Sequence, residues 1–92
     1  MIPEIIKEKS LINGFGFQCT QYVVLYEDEY YLISQARTNT IDLETLAFPC
    51  DEHGKSKNMV EIINKRDVTI DEVWATFGLL LLEAKNDPFR EN

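Results

Sequence analysis

The chain has 92 residues, of which 45% are apolar, enough for one hydrophobic core and too few for two. Sixteen Asp and Glu against nine Lys and Arg leave a formal charge of −7, which repels phosphate backbones and anionic lipid and argues against direct binding of nucleic acid or a membrane surface. The longest apolar run, Phe77 to Leu82, has six residues against the roughly 20 of a membrane-spanning helix, so no transmembrane role is expected.

The opening Met1-Ile2-Pro3-Glu4 has neither the basic nor the apolar region of a secretory signal, and Cys19 and Cys50 are too few for a disulfide scaffold. The expected setting is a reducing cytoplasm. Pro3 stands where a helix can begin, and Ile5 and Ile6 are followed by alternating charges up to Asn13-Gly14. Residues 1–13 therefore read as a short amphipathic helix or an extended arm. From Phe15 the pattern has period two through Phe17, Cys19, Val23 and Leu25, in a β-branched and aromatic run that predicts a strand. The acidic triplet Glu27-Asp28-Glu29 then separates it from Tyr30 to Ala36, so the two form a hairpin with an acidic turn.

A polar connection leads to Glu44–Phe48, a third strand expected to stop at Pro49 and the turn-rich CDEHGKSKN. Met59–Asn64 fits either a fourth strand or one helical turn, and Val60, Ile62 and Ile63 favour the strand. Thr69-Ile70-Asp71-Glu72 has the residues of a capping box, in which the Thr69 hydroxyl accepts from the Glu72 amide and the Glu72 carboxylate returns to the Thr69 amide. Asp71 adds negative charge at the positive end of the helix dipole. The helix extends over 69–86 and ends before Pro88, with Ile70, Val73, Trp74, Phe77, Leu81 and Ala84 on one face. The expected fold is α+β: one domain over 1–92, with an antiparallel meander of three to four strands across 15–64 and the helix packed on one side. Four successive leucines cannot all face one sheet at steps of about 100°. Leu79, Leu80 and Leu82 are expected to bury under the N-terminal arm or in a homodimer formed through this helix.

Within ETLAFPCDEHGK, residues Glu44, Thr45, Leu46, Phe48, Cys50, Asp51 and Gly54 spell Glu-Thr-aliphatic-x-Phe-x-Cys-Asp-x-x-Gly. This signature resembles small phage-encoded proteins that continue with a strand and an acidic-capped helix. The likeness covers the C-terminal half and departs at Met59-Val60, where those proteins often carry Asp-Trp. It implies a phage or prophage origin and assigns no functional residues.

Cys50 and His53 have a C-x-x-H spacing, but two ligands fall short of the four of a structural zinc. Asp51 and Glu52 beside Cys50 disfavour a reactive thiolate. No catalytic set, metal or cofactor is expected, and Gly54 reads as a turn residue at positive φ. Trp74 reads as core. The feature with functional content is the hairpin end, where Tyr22, Tyr26, Tyr30 and Tyr31 surround Glu27, Asp28 and Glu29. Tyrosines supply contact area with little loss of rotamer freedom, and an acidic rim steers a basic partner. The leading expectation is a non-enzymatic, acidic, phage-derived inhibitor in a bacterial cytoplasm that occupies a basic surface on a host protein such as a defence nuclease. Small acidic anti-CRISPR proteins are the analogy of class. The alternatives are a structural or assembly component, signalled by Leu79–Leu82, and a small thiol-dependent enzyme using Cys50, Asp51 and His53.

Overall fold

The computed structural model describes residues 2–12, 14, 16–37, 43–57 and 60–86. They form β1 (Glu4–Ile12), β2 (Gln18–Tyr26), β3 (Glu29–Arg37), β4 (Leu43–Cys50), β5 (Ile63–Arg66) and α1 (Ile70–Lys85). The strands build one antiparallel sheet in chain order, β1-β2-β3-β4-β5, so the fold is an α+β meander with a C-terminal helix. The expected features at Asn13, Phe15, 38–42, Met59 and Pro88 lie outside the described residues.

The sheet has five strands rather than three to four, because the N-terminal segment is neither helix nor arm but β1, paired with β2 from Glu4↔Leu25 to Ile12↔Gln18. The chemistry of the segment explains this. A helix starting with Ile5 and Ile6 would need apolar residues at 8, 9 and 12 to continue the face, whereas Glu8 and Lys9 stand there. As an edge strand with a bulge between Ile5 and Lys7, the same residues leave their charges in water and blunt the edge. Ile2, Ile5 and Ile6 are exposed and do not cover the leucines of α1.

Pro49 does not stop β4, which runs on to Cys50. The Ala47 carbonyl accepts from Ile62 N–H at 2.8 Å and the Pro49 carbonyl from Lys57 N–H at 3.2 Å, so residues 47 and 49 turn their backbone groups away from β3. The pairing of β4 with β5 ends at Ala47↔Ile63. Proline therefore stands where no ladder donor is required. The strand expected around 59–64 lies later, at Ile63–Arg66.

Alternation along each strand sends Tyr22, Val24, Ile33, Ala47 and Ile63 to the side covered by α1, where Val73 and Phe77 complete the core. Phe77 has no exposed surface, and full burial of such a side chain stabilises by about 1.5–3 kcal/mol. Thr45 is buried on this side and accepts from the Gln35 side-chain amide at 3.1 Å, which also donates to the Val68 carbonyl at 3.1 Å. The helix begins as expected: Thr69 Oγ1 accepts from Glu72 N–H at 3.2 Å. The Glu72 carboxylate accepts from the Thr69 hydroxyl at 3.3 Å in place of the expected bond to the Thr69 amide.

On the other side of the sheet the turn after β4 folds back over β2. Gly54, at φ +85, lies so close that a Cβ there would stand 2.7 Å from Val23 Cγ2. Val23 and Cys50 are consequently buried.

Candidate functional site

Period-two alternation sorts the seven residues expected at the hairpin contact surface into separate places. Tyr22 is only 9% exposed and packs edge-on against Trp74, with ring centroids 5.2 Å apart; it belongs to the core rather than to a contact surface. Tyr30 pairs with Cys50, one position out of step with Tyr31, and points to the opposite side of the sheet. Asp28 is exposed at the tip. Tyr26, Glu27, Glu29 and Tyr31 remain together beside α1.

Those four residues form one wall of a cleft of about 510 Å³. Pro49 and Ile62 extend the wall, and the last two turns of α1 supply Gly78, Leu81, Leu82, Ala84 and Lys85. Clefts of about 300–1,000 Å³ with apolar walls and a few convergent polar groups are the usual form of binding sites. Phe77 fixes the aromatic part from below: Tyr26 and Tyr31 each meet it edge-on, at centroid distances of 5.3 and 5.5 Å. Gly78 admits the Tyr26 ring, since a Cβ at 78 would lie 2.5 Å from the phenolic oxygen. A glycine in mid-helix costs about 1 kcal/mol relative to alanine, and here the close approach of Tyr26 requires it.

The turn that carries the carboxylates has Glu27 at φ 49 and Asp28 at φ 68. Both central residues are at positive φ, as a type I′ hairpin turn requires, but neither is the Asn or Gly that adopts this backbone with least strain. The local potential is negative. Burial, then the charges of Glu29 and Glu27 and the neighbouring Tyr26, push the Tyr31 phenol above its ordinary value. The C-terminal dipole end of α1 adds to this field.

The residues considered for thiol chemistry do not converge. Cys50 is buried, and burial and Asp51 push its thiol up, with Lys57 opposing. The Asp51 carboxylate accepts the amides of His53 and Lys55, both at 2.9 Å, and so fixes its own turn. His53 lies in solvent, 3.6 Å from Glu52. Among the described residues no three His, Cys, Asp or Glu side chains gather as a metal site, and no helix is long and apolar enough to cross a membrane.

Of the leucines expected at an oligomer interface, Leu79 and Leu82 are 63% and 54% exposed. Leu80 is different: it packs against the core cluster, as Leu81 does. Sequence reasoning did not place Gly78, Leu81, Lys85, Pro49 or Ile62 at a site; mid-helix Gly78 was the one local signal among them. No family model, curated protein or solved structure matches the chain.

Proposed function

We propose that this chain is a non-enzymatic, acidic binding protein of phage origin that works in the cytoplasm of a bacterial host and inhibits a host protein, such as a defence nuclease, by occupying a basic surface. The observation that carries the reading is the continuity of the exposed turn Glu27-Asp28-Glu29 with a cleft walled by Tyr26 and Tyr31, on a chain of charge −7. Carboxylates at the rim accelerate encounter with a basic surface, and rigid aromatic walls supply the area that holds it. The likeness of residues 44–55 to phage proteins supports the origin. Burial of Cys50 and use of the Asp51 carboxylate within its own turn weigh against thiol chemistry. The test is affinity capture from bacterial lysate with the unaltered chain and with Glu27→Asn/Asp28→Gly. A basic protein identified by mass spectrometry, lost with the variant and released from its nucleic acid by the chain, supports the reading. Recovery of no basic protein at low and moderate salt refutes it.

A second reading, an assembly component that self-associates through α1, rests on exposed Leu79 and Leu82 on one stripe of the helix. Two leucines supply far less than the roughly 800 Å² per partner of a stable interface. Light scattering decides: a monomer mass at micromolar concentration removes this reading, whereas a dimer that Leu79→Glu dissociates supports it.

A further inference from the structure

The cleft beside the turn is more selective than a negatively charged patch. Its α1 wall is aliphatic at Leu81 and Leu82 and Ile62 adds apolar surface on the sheet side, while its hairpin end carries two phenols and the carboxylates of Glu27 and Glu29. Among the described residues Lys85 is the one cation on the lining, so the carboxylates of Glu27 and Glu29 outnumber it there. The combination asks for an occupant with an apolar stem and a planar cation at its tip. A guanidinium stacks on phenol faces and donates to two carboxylate oxygens at once, and the three-carbon stem of arginine covers aliphatic surface. A lysine ammonium is more strongly hydrated and lacks the planar fork. The volume of about 510 Å³ also leaves space for a neighbouring apolar side chain.

Resting on the binding reading above, the geometry points to an arginine side chain of the partner protein, next to an apolar residue, as the occupant of this cleft, its guanidinium between Tyr26, Tyr31, Glu27 and Glu29 and its apolar neighbour over Leu81 and Leu82. The partner is thereby narrowed from a basic surface to one that projects an apolar-arginine pair.

The probes are the capped dipeptide amides Leu-Arg, Leu-Lys and Leu-Glu, together with arginine amide alone, titrated to millimolar concentration into the labelled chain and followed by amide NMR shifts. Leu-Arg is expected to shift Glu29, Gly78, Leu81 and Leu82. It should bind about threefold to tenfold tighter than Leu-Lys, the size of a cation–π and bidentate advantage, and Leu-Glu should give no shift. Leu82→Ser and Glu29→Gln alter exposed side chains, and each should weaken Leu-Arg binding while a thermal melt stays unchanged. Absence of shifts in the cleft, or equal shifts from Leu-Glu, overturns the proposal. Arginine amide binding as tightly as Leu-Arg overturns the apolar neighbour. Failure of the proposal is distinguishable from failure of the wider reading. Capture of the partner that is lost with Glu27→Asn/Asp28→Gly but unaffected by Leu82→Ser leaves the reading and removes the cleft. Peptide binding in the cleft without capture of any basic protein does the reverse.

Discussion

Replacing Glu27 with Asn and Asp28 with Gly should make the protein more stable and a poorer binder at the same time. Both positions hold the left-handed backbone, at φ 49 and 68, which costs a residue with a Cβ about 1–2 kcal/mol, less for Asp than for Glu. Gly at 28 removes that cost but loses about 0.4–1 kcal/mol through the added freedom of the unfolded chain. Asn at 27 recovers part of the rest, because its short polar side chain tolerates this backbone. The net gain is about 1 kcal/mol, or roughly 4–8 °C in Tm for a domain of this length. Thermal and urea unfolding followed by circular dichroism measure it. Glu29→Gln is the control, since it removes a charge without a positive φ, and it should stay within about 0.5 kcal/mol of the parent. Partner association should slow with the double variant, and the deficit should shrink at high salt, as steering over a Debye length of about 8 Å is screened. An unchanged or lower Tm would refute the strain argument. Gain of stability with loss of binding is the pattern of a turn whose residues are kept for contact despite their backbone.

Gly78→Ala should destabilise the parent, because the new methyl meets the Tyr26 oxygen at 2.5 Å, yet stabilise Tyr26→Phe by about 1 kcal/mol through helix propensity, the next atom of the ring being 3.5 Å away; a double-mutant cycle in urea reads the coupling, and additivity would contradict the contact. Gly54→Ala should cost about 1–3 kcal/mol, since it combines φ +85 with a 2.7 Å approach to Val23, and a neutral Tm would show that the turn after β4 is not seated on the sheet. The Asp51 carboxyl is held below its ordinary 3.8, chiefly by the Lys55 amide with the His53 amide adding to it. A depressed folded value means that its support of the turn is present above pH 3.8 and is lost as the pH falls through the lowered value. Protection of the His53 and Lys55 amides, taken relative to the intrinsic exchange rate at each pH, should therefore fall on acidification through that window, and Asp51→Ala should abolish the dependence.

Local signals in the sequence were enough for the helix and the β2–β3 hairpin. The cap at Thr69, the period of two in β2 and β3 and the turn at Gly54 are each decided within a few residues. Two expectations failed for one reason. β1 has no apolar alternation because its residues are exposed except at Leu11, and an exposed edge strand needs none. Pro49 looks like a strand end until two things are known: its backbone groups face away from β3, and β5 stops before reaching it, so no ladder donor is needed there. Both depend on the neighbours a strand has, which no window along the chain contains.

The site was half legible for a related reason. The hairpin was readable as tyrosine and acid, but alternation alone could have separated Tyr30 from Tyr26, Glu29 and Tyr31; pairing Tyr26 with Glu29 across the turn puts those three on one side. What alternation could not give is the far wall. Leu81, Leu82 and Lys85 lie more than fifty residues from the turn, and they reach it because Phe77 seats the helix between Tyr26 and Tyr31. Gly78 is where the two levels meet. In sequence it is a weak point in a leucine-rich helix; against the sheet it is the gap through which Tyr26 passes to become a wall of the cleft. A residue that lowers local helix propensity and has a tertiary contact to justify it marks a position where the contact outweighed the propensity. Here that contact belongs to the candidate site.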